Sequence, residues 1–266
     1  MYSLDTRSGA RDELRLMSFN MQVGIGTRRY RDYVLRGWRN VLPSMETKAN
    51  LARIAGLLSQ YDIVGLQEID GGSRRSGYEN QLEWLAHQAD FGFWHLQVNR
   101  DLGHLAQHGL GLLSRFEPFD VHEHSLPGRI PGRGALLAKF GDRQDPLVVV
   151  VTHLALGARS RARQLGYLSD LTRDYRHVIL MGDTNCSAEQ LQRSVGQRAA
   201  HLQVQPQMLA TYPSWRPRRG IDHILVSRGI EVSRTEALDV QLSDHRPVAM
   251  RIRLPEPVHS ELAQVS

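Results

Sequence analysis

The chain has 266 residues, 41% of them hydrophobic and 23% charged, enough for one large domain or two small ones with a substantial core. Its apolar residues fall in short runs such as Leu147 to Val151, far from the roughly 18 consecutive apolar residues of a membrane helix, which excludes a transmembrane segment of that kind. Thirty-three Lys+Arg against 28 Asp+Glu give +5, and because lysine occurs only at Lys48 and Lys139 the positive charge is almost entirely guanidinium. Arginine is the better fork for phosphate oxygens, but a GC-rich genome leaves the same imprint, so charge alone decides nothing.

In chain order, Leu14–Asn20 reads as a strand and Met21–Ser44 as a long polar stretch. Met45–Gln60 follows as an amphipathic helix with Leu51, Ile54, Ala55 and Leu58 on one face. Asp62–Gln67 gives a second strand, and Tyr78–Ala89 has helical spacing through Leu82, Leu85 and Ala86. Runs at Phe93–Val98, Gly109–Leu113, Phe119–His124, Gly134–Phe140 and Pro146–His153 are bounded by Gly, Pro or Asp and read as strands. Ala158–Tyr175 reads as a helix and His177–Met181 as a buried strand, and Ser187 with Gln190 three residues on has the pattern of a capping box. Strands at Ile221–Ser227 and Pro247–Leu254 close the chain. No fixed-period repeat, low-complexity run or Pro/Gly/Ser linker interrupts it, so the expectation is one domain over 1–266. So many short strands exceed one doubly wound sheet and point to two sheets packed face to face with helices outside, an α/β sandwich.

Polar residues gather at the ends of these strands. Asn20 ends the first, Gln67 and Glu68 the second, and His153 the Val-rich one; Asp183 and Asn185 follow Val178–Met181, Asp222 and His223 open a later strand, and Asp244 and His245 precede the last. A buried strand end holds such a group in a narrow geometry. A single Asp or His there is commonly a cap or turn residue, but six ends together are hard to explain that way. By alternation His223 lies on the other side of its strand from Asp222, and no catalytic role is assigned to it. Cys186, the chain's one cysteine, excludes an internal disulfide and any Cys-rich metal site, leaves a metal to oxygen and imidazole ligands, and reads as a small filler. Met1–Glu13 carries five charged residues and no apolar h-region, so the expected location is cytoplasmic or an equivalent reducing space.

Six segments carry a more specific resemblance: Leu16-Met17-Ser18-Phe19-Asn20, Asp62-Ile63-Val64-Gly65-Leu66-Gln67-Glu68, Thr152-His153-Leu154, Gly182-Asp183-Thr184-Asn185, Ile221-Asp222-His223-Ile224 and Ser243-Asp244-His245-Arg246-Pro247. In this order they resemble the motifs of the endonuclease/exonuclease/phosphatase superfamily, which includes DNase I, exonuclease III and the sphingomyelinases, over a core of about residues 14–254. The resemblance implies a DNase I-like four-layered α/β sandwich of two packed mixed β-sheets flanked by helices. It also implies a Mg²⁺-dependent phosphoester hydrolase, with Mn²⁺ as a substitute, that acts on phosphodiesters. Glu68 would be the principal metal ligand, with Asn20 and Asp244 close by. Asp183 would orient or deprotonate the attacking water, Asn185 would donate to the scissile phosphate, and His245 would stabilise the developing charge. Asp222 would orient that histidine, and His153 would contact the phosphate or the leaving group. These types suit the chemistry independently, since phosphoester hydrolysis needs a positioned water and neutralised phosphoryl oxygens, and Mg²⁺ takes oxygen ligands. The segment His108 to Arg115 departs from the family's pattern, with Leu110 where Asn is frequent.

Substrate choice should lie between the motifs. The stretch from Arg28 to Arg39 interleaves Arg31, Tyr33 and Trp38 among further arginines, a composition that suits a nucleic-acid backbone with stacked bases or an anionic phospholipid headgroup surface. Tyr212 to Arg219, with Trp215 and Arg216, is a second candidate reader, and Arg133 at a strand start a third. The leading expectation is a monomeric phosphodiesterase or endonuclease. A phospholipid or sphingomyelin-type phosphodiesterase, or a small-molecule phosphatase, is the alternative. A binding scaffold that has lost catalysis sits poorly with retention of Glu68, Asp183, Asn185, Asp222, Asp244 and His245.

Overall fold

The computed structural model describes residues 13–22, 45–101, 107–128, 131–198, 201–205 and 209–255, together with 258 and 262. Its strands are β1 (Leu14–Asn20), β2 (Ile63–Ile69), β3 (Phe93–Asp101), β4 (Gln107–Ser114), β5 (Asp120–Ser125), β6 (Gly134–Phe140), β7 (Leu147–His153), β8 (His177–Asp183), β9 (Leu202–Gln203), β10 (Asp222–Ser227), β11 (Glu231–Ala237) and β12 (Val248–Arg253). The helices are α1 (Met45–Leu58), α2 (Gln81–Gln88), α3 (Ala158–Thr172) and α4 (Ala188–Arg198). One sheet runs β11-β12-β1-β2-β4-β3 and the other β5-β6-β7-β8-β10-β9. Each has a parallel pair at its centre, β1 with β2 and β7 with β8, and a helix between the paired strands in sequence, α1 and α3 respectively.

Strand alternation builds the layers, because successive side chains leave a strand on opposite faces. Leu14, Leu16 and Ile63 of the first sheet meet Leu147, Val149, Val151, Ile179, Met181, Ile224 and Val226 of the second in one buried cluster between the sheets. The opposite parity, Met17, Phe19, Val64 and Leu66, packs with Leu51, Ile54 and Leu58 of α1 and Leu82 and Leu85 of α2. On the second sheet Val148, Val150, Val178 and Leu180 pack with Leu165 and Leu168 of α3 and Leu191 of α4. The result is helices, sheet, sheet, helices, the four layers implied by the motifs. The sheets approach closely at Gly65, where a Cβ would stand 2.7 Å from Met181 Sδ and 2.9 Å from Val151 Cγ2. Among the described residues no helix is long and apolar enough to cross a membrane.

The element boundaries need several corrections. The helix expected at Tyr78–Ala89 starts at Gln81, because Asn80 Oδ1 accepts from the backbone N–H groups of Leu82 and Glu83 and fixes the first turn. The helix expected to reach Tyr175 ends at Thr172, and the buried strand expected to end at Met181 continues to Asp183. Two strands were not expected at all: β9 is only two residues long, and β11 is a polar edge strand whose sequence Glu231-Val232-Ser233-Arg234-Thr235-Glu236-Ala237 shows no apolar face. The Ser187 capping box is present, with Gln190 N–H donating to Ser187 Oγ at 3.4 Å and Ser187 N–H to Gln190 Oε1 at 3.3 Å.

Candidate active site

The polar residues singled out by sequence continue the parity of the inter-sheet core to its end. Asn20 follows Leu14, Leu16 and Ser18 on the inward face of β1; His153 follows Val149 and Val151 on β7; Asp183 follows Ile179 and Met181 on β8; and Asp222 precedes Ile224 and Val226 on β10. Strand register then aligns them, since His153 pairs with Asp183 and Asp183 with Asp222 across β7, β8 and β10. The inward face of these strands thus ends in a polar rim, where the scaffold is still tightly anchored.

Glu68 reaches this rim by a different device. Val64 and Leu66 face the helices, so unbroken alternation would send Glu68 the same way. A bulge between Gln67 and Ile69 in the pairing with β4 absorbs one residue, Ile69 takes the helix-facing place, and Glu68 adopts φ 55° and turns inward. Asn20 Nδ2 donates to Glu68 Oε1 at 3.2 Å and to Asp183 Oδ2 at 3.2 Å, so one amide ties the two sheets together. Gly182 is fixed by its neighbours: its φ is +153°, and a Cβ there would run into the carbonyl oxygen of Thr152.

Asp183 is the hub. Its Oδ2 lies 3.3 Å from His153 Nε2 and 4.0 Å from His245 Nε2, and its Oδ1 accepts the Asn185 N–H at 2.9 Å. Burial pushes the carboxyl up, but the hydrogen bond and charge of His153, the charge of His245 and the Asn185 N–H hold it well below the usual carboxylate range. His245 Nδ1 sits 3.0 and 2.9 Å from the two oxygens of Asp222, so with the acid ionised Nδ1 carries the proton and donates. Burial pulls this imidazole down, yet the charge and hydrogen bond of Asp222, joined by Asp183 and Asp244, carry it up to about 10. Asp244 moves the other way: burial and the charge of Glu68 raise it to about 6 against the opposing charge of His245 and the Ser243 hydroxyl.

The structure brings together Asn20, Glu68, His153, Asp183, Asn185, Asp222, Asp244 and His245. Asn185 has φ 53°, and its Nδ2 donates to Leu154 O at 2.9 Å, which leaves the second N–H of that amide for a substrate oxygen. Arg133 stands beside the start of β6, at the end of the sheet where β7 finishes; burial lowers its guanidinium, and the charges of Glu68 and Asp183 oppose that shift, which places it at the site. Trp215 is half-buried and Arg216 exposed, on a loop joined to the motif by Ser214 N–H to Asp244 O at 2.7 Å and Ser214 Oγ to Ser243 O at 2.6 Å. Arg31, Tyr33 and Trp38 lie outside the described residues. His223 points away, with Nε2 3.0 Å from Cys186 O, and Cys186 is buried. Leu110 is buried in register between Gln67 and Gln97, whose Oε1 atoms have no hydrogen-bond partner among the described residues.

Sequence reasoning missed Arg100 and Thr211. Arg100, near the end of β3, lies within electrostatic range of Arg133, and its Cβ would be 3.1 Å from a Cβ at Gly132. Thr211 Oγ1 is 2.5 Å from Asp222 Oδ2. Only the tertiary fold brings Arg100 near Arg133 and Thr211 near Asp222, and no local pattern flagged them.

Among the described residues, Asp183, Asp222 and His245 offer ligand atoms within 4.8 Å of one another, so this buried group has the geometry to hold a metal ion. Each member already answers another's charge, however. The cation demand lies with Glu68 and Asp244, carboxylates close enough for the charge of Glu68 to raise Asp244, while Asn20 turns its Nδ2 to Glu68 and its Oδ1 accepts the Gln22 N–H at 3.2 Å. Those carboxylate oxygens fit a hard divalent ion.

A family model described as the Endonuclease/Exonuclease/phosphatase family matches residues 17–245. No curated protein matches the chain by sequence. Among solved structures, an endonuclease/exonuclease/phosphatase from Beutenbergia cavernae superposes with a TM-score of 0.69 at 21% identity, covering 92% of this chain and 72% of that one. A mannosyl-6-phosphatase from Bacteroides thetaiotaomicron gives 0.66 at 16% identity, covering 90% and 99%. D. rerio TDP2, solved with a single-strand DNA product, gives 0.65 at 16% identity, covering 90% and 98%. At these identities the likeness is one of fold.

Proposed function

The chain belongs to the endonuclease/exonuclease/phosphatase family, a family of phosphoester hydrolases, and on that premise we propose that it is a Mg²⁺-dependent phosphodiesterase whose substrate class is nucleic acid. The observation that carries the reading is the continuous polar row His153, Asp183, Asp222 and His245, closed by Asn20 and Glu68.

Hydrolysis adds water across a P–O bond. The attacking oxygen must be aimed at phosphorus, and the negative charge that builds on the phosphoryl oxygens must be met. Asp183, ionised at any pH of interest, accepts a hydrogen bond from the water and orients it; its low proton affinity makes it an aiming group more than a proton store. His245, held cationic at neutral pH, faces the phosphoryl charge. Asp222 fixes its ring. Asn185 offers its second N–H, and His153 stands on the opposite side of Asp183 to contact a phosphate or leaving oxygen. Glu68 and Asp244, with Asn20 bracing Glu68, would hold the Mg²⁺ or Mn²⁺, which when bound supplies neutralising charge to the phosphoryl oxygens. A diester is favoured by Arg133, which feels the charges of Glu68 and Asp183 and has Arg100 within electrostatic range, and by exposed Arg216, Arg218 and Arg219 on the loop tied to Ser243 and Asp244, cations that suit phosphates beyond the scissile one.

Purified protein with Mg²⁺ should nick supercoiled plasmid, and Asp183→Asn prepared in parallel should not. A folded protein that leaves plasmid intact but cleaves sphingomyelin or p-nitrophenyl phosphate would overturn nucleic acid as the substrate class. Activity indifferent to EDTA would overturn the metal.

A further inference from the structure

The catalytic histidine depends on Asp222, and Asp222 in turn depends on a residue outside every motif. Asp222 is 1% exposed, and a buried carboxylate needs a donor for each oxygen it keeps charged. His245 Nδ1 spans both, 3.0 Å from Oδ1 and 2.9 Å from Oδ2. The hydroxyl of Thr211, itself fully buried, adds a second donor on Oδ2 at 2.5 Å. The same hydroxyl oxygen accepts the Ile221 N–H at 3.2 Å, so the backbone leading into β10 and the carboxylate at its first position are held by one atom. The Arg219 carbonyl lies 3.5 Å from that oxygen, too far to compete for its single proton.

Thr211 is fixed in turn. Its N–H donates to Arg219 O at 2.8 Å, and its carbonyl accepts the Arg246 N–H at 2.8 Å, one residue beyond His245. Arg246 Nε donates to Ser214 O at 3.0 Å. The next side chain along, Tyr212, lays its ring over the imidazole, with centroids 4.9 Å apart and planes tilted by 52°. Two adjacent residues of one loop thus bound the His245–Asp222 pair, Thr211 behind the acid and Tyr212 over the base.

We propose that Thr211 is a positioning residue for the hydrolysis, acting through Asp222 to hold the His245 ring at the angle at which its Nε2 faces the phosphoryl group. Its hydroxyl restricts the carboxylate to one orientation, so that both oxygens stay within reach of Nδ1. Without it the carboxylate can turn toward other donors and the imidazole turns with it. This inference rests on the phosphoesterase reading for its kinetic consequence but not for its structural one.

The test uses Thr211→Val, which keeps the shape and removes the hydroxyl, and Thr211→Ser, which keeps the hydroxyl. With bis(p-nitrophenyl) phosphate and Mg²⁺, Thr211→Val should lower kcat by about ten- to a hundredfold with KM little changed, the scale on which outer partners of site groups act. Thr211→Ser should recover most of that loss. In an Asp222→Ala background Thr211→Val should cost nothing further, because the group it acts through is gone. Full kcat in Thr211→Val, an equal loss in Thr211→Ser, or additive losses in the double variant would each overturn the proposal. If the wild-type protein cleaves no phosphoester with any divalent ion, the functional reading fails, and proton NMR decides the inference alone. The His245 Nδ1–H bonded to a buried carboxylate should give a low-field resonance that Thr211→Ser keeps and Thr211→Val shifts or loses to exchange. An unchanged resonance in Thr211→Val overturns it.

Discussion

At the rim of the sandwich the second sheet contributes His153, Asp183 and Asp222, which with His245 answer one another's charge over distances of 2.9 to 4.0 Å. The first sheet contributes Asn20 and Glu68, next to Asp244, and among the described residues no Lys or Arg forms an ion pair with either acid. One half is therefore organised by its own side chains, and the other has a surplus of negative charge that a divalent ion would balance. The difference shows in Asp183 and Asp244, both buried. Asp183, ringed by donors, is held low, whereas Asp244 is pushed up to about 6, chiefly by burial and further by the charge of Glu68 against that of His245. The contrast separates what the chain preorganises from what a cation must complete.

Removing a member of the self-organised half should have the largest effect. His245→Ala should lower kcat by about two orders of magnitude or more, with the circular dichroism spectrum retained, since a charge-stabilising group is worth that much. Near-full activity would remove His245 from its role. In the other half, Glu68→Gln should chiefly weaken the ion. The Mg²⁺ concentration for half-maximal rate should rise about ten- to a hundredfold, and the rise in melting temperature on adding Mg²⁺ should shrink. If Glu68→Gln titrates with Mg²⁺ as the wild type does while Asp222→Asn does not, the ion belongs to the Asp183, Asp222 and His245 group instead. At the edge of both halves, Arg133→Ala should raise KM for a nucleic-acid substrate by about tenfold and leave kcat nearly unchanged, as loss of a phosphate contact does.

The smallest expected effect concerns His223, on the outward face of β10. Burial lowers its pKa, so it is kept neutral in the folded protein. As pH falls through the ordinary histidine value of 6.5 the unfolded chain takes up the proton first, and stability declines from there downward until the folded histidine also protonates. His223→Gln should make the fall in melting temperature between about pH 7 and pH 5 shallower. An unchanged slope would mean that His223 is not a source of acid sensitivity.

Much of the site was legible because strand ends and core parity are local properties. Asn20, His153, Asp183 and Asp222 each sit at the end of an apolar run that counts them onto the inward face, so residue type and position in the run already suggested a shared rim. Glu68 was identified by its motif alone; parity, taken by itself, sends it to the helices, and the bulge that reverses this is a property of pairing with β4. Edge strand β11 was illegible for a related reason, since it is held by its pairing with β12 and its largely polar sequence carries no alternating apolar face. Arg100 and Thr211 carry no local signal, because what matters about them is a neighbour far away in sequence.

The sequence by itself determined which residues are apolar at which spacing, and through the ordered motifs it determined the family, the layered architecture and the chemical types at the catalytic rim. Tertiary structure alone decided which carboxylates are neutralised by partners and which are not, which way Glu68 turns, and which loop bounds the His245–Asp222 pair. The physical reason is range. Side-chain alternation and motif chemistry are written over a few residues, whereas charge balance and burial depend on groups that only folding brings within about 4 Å of one another.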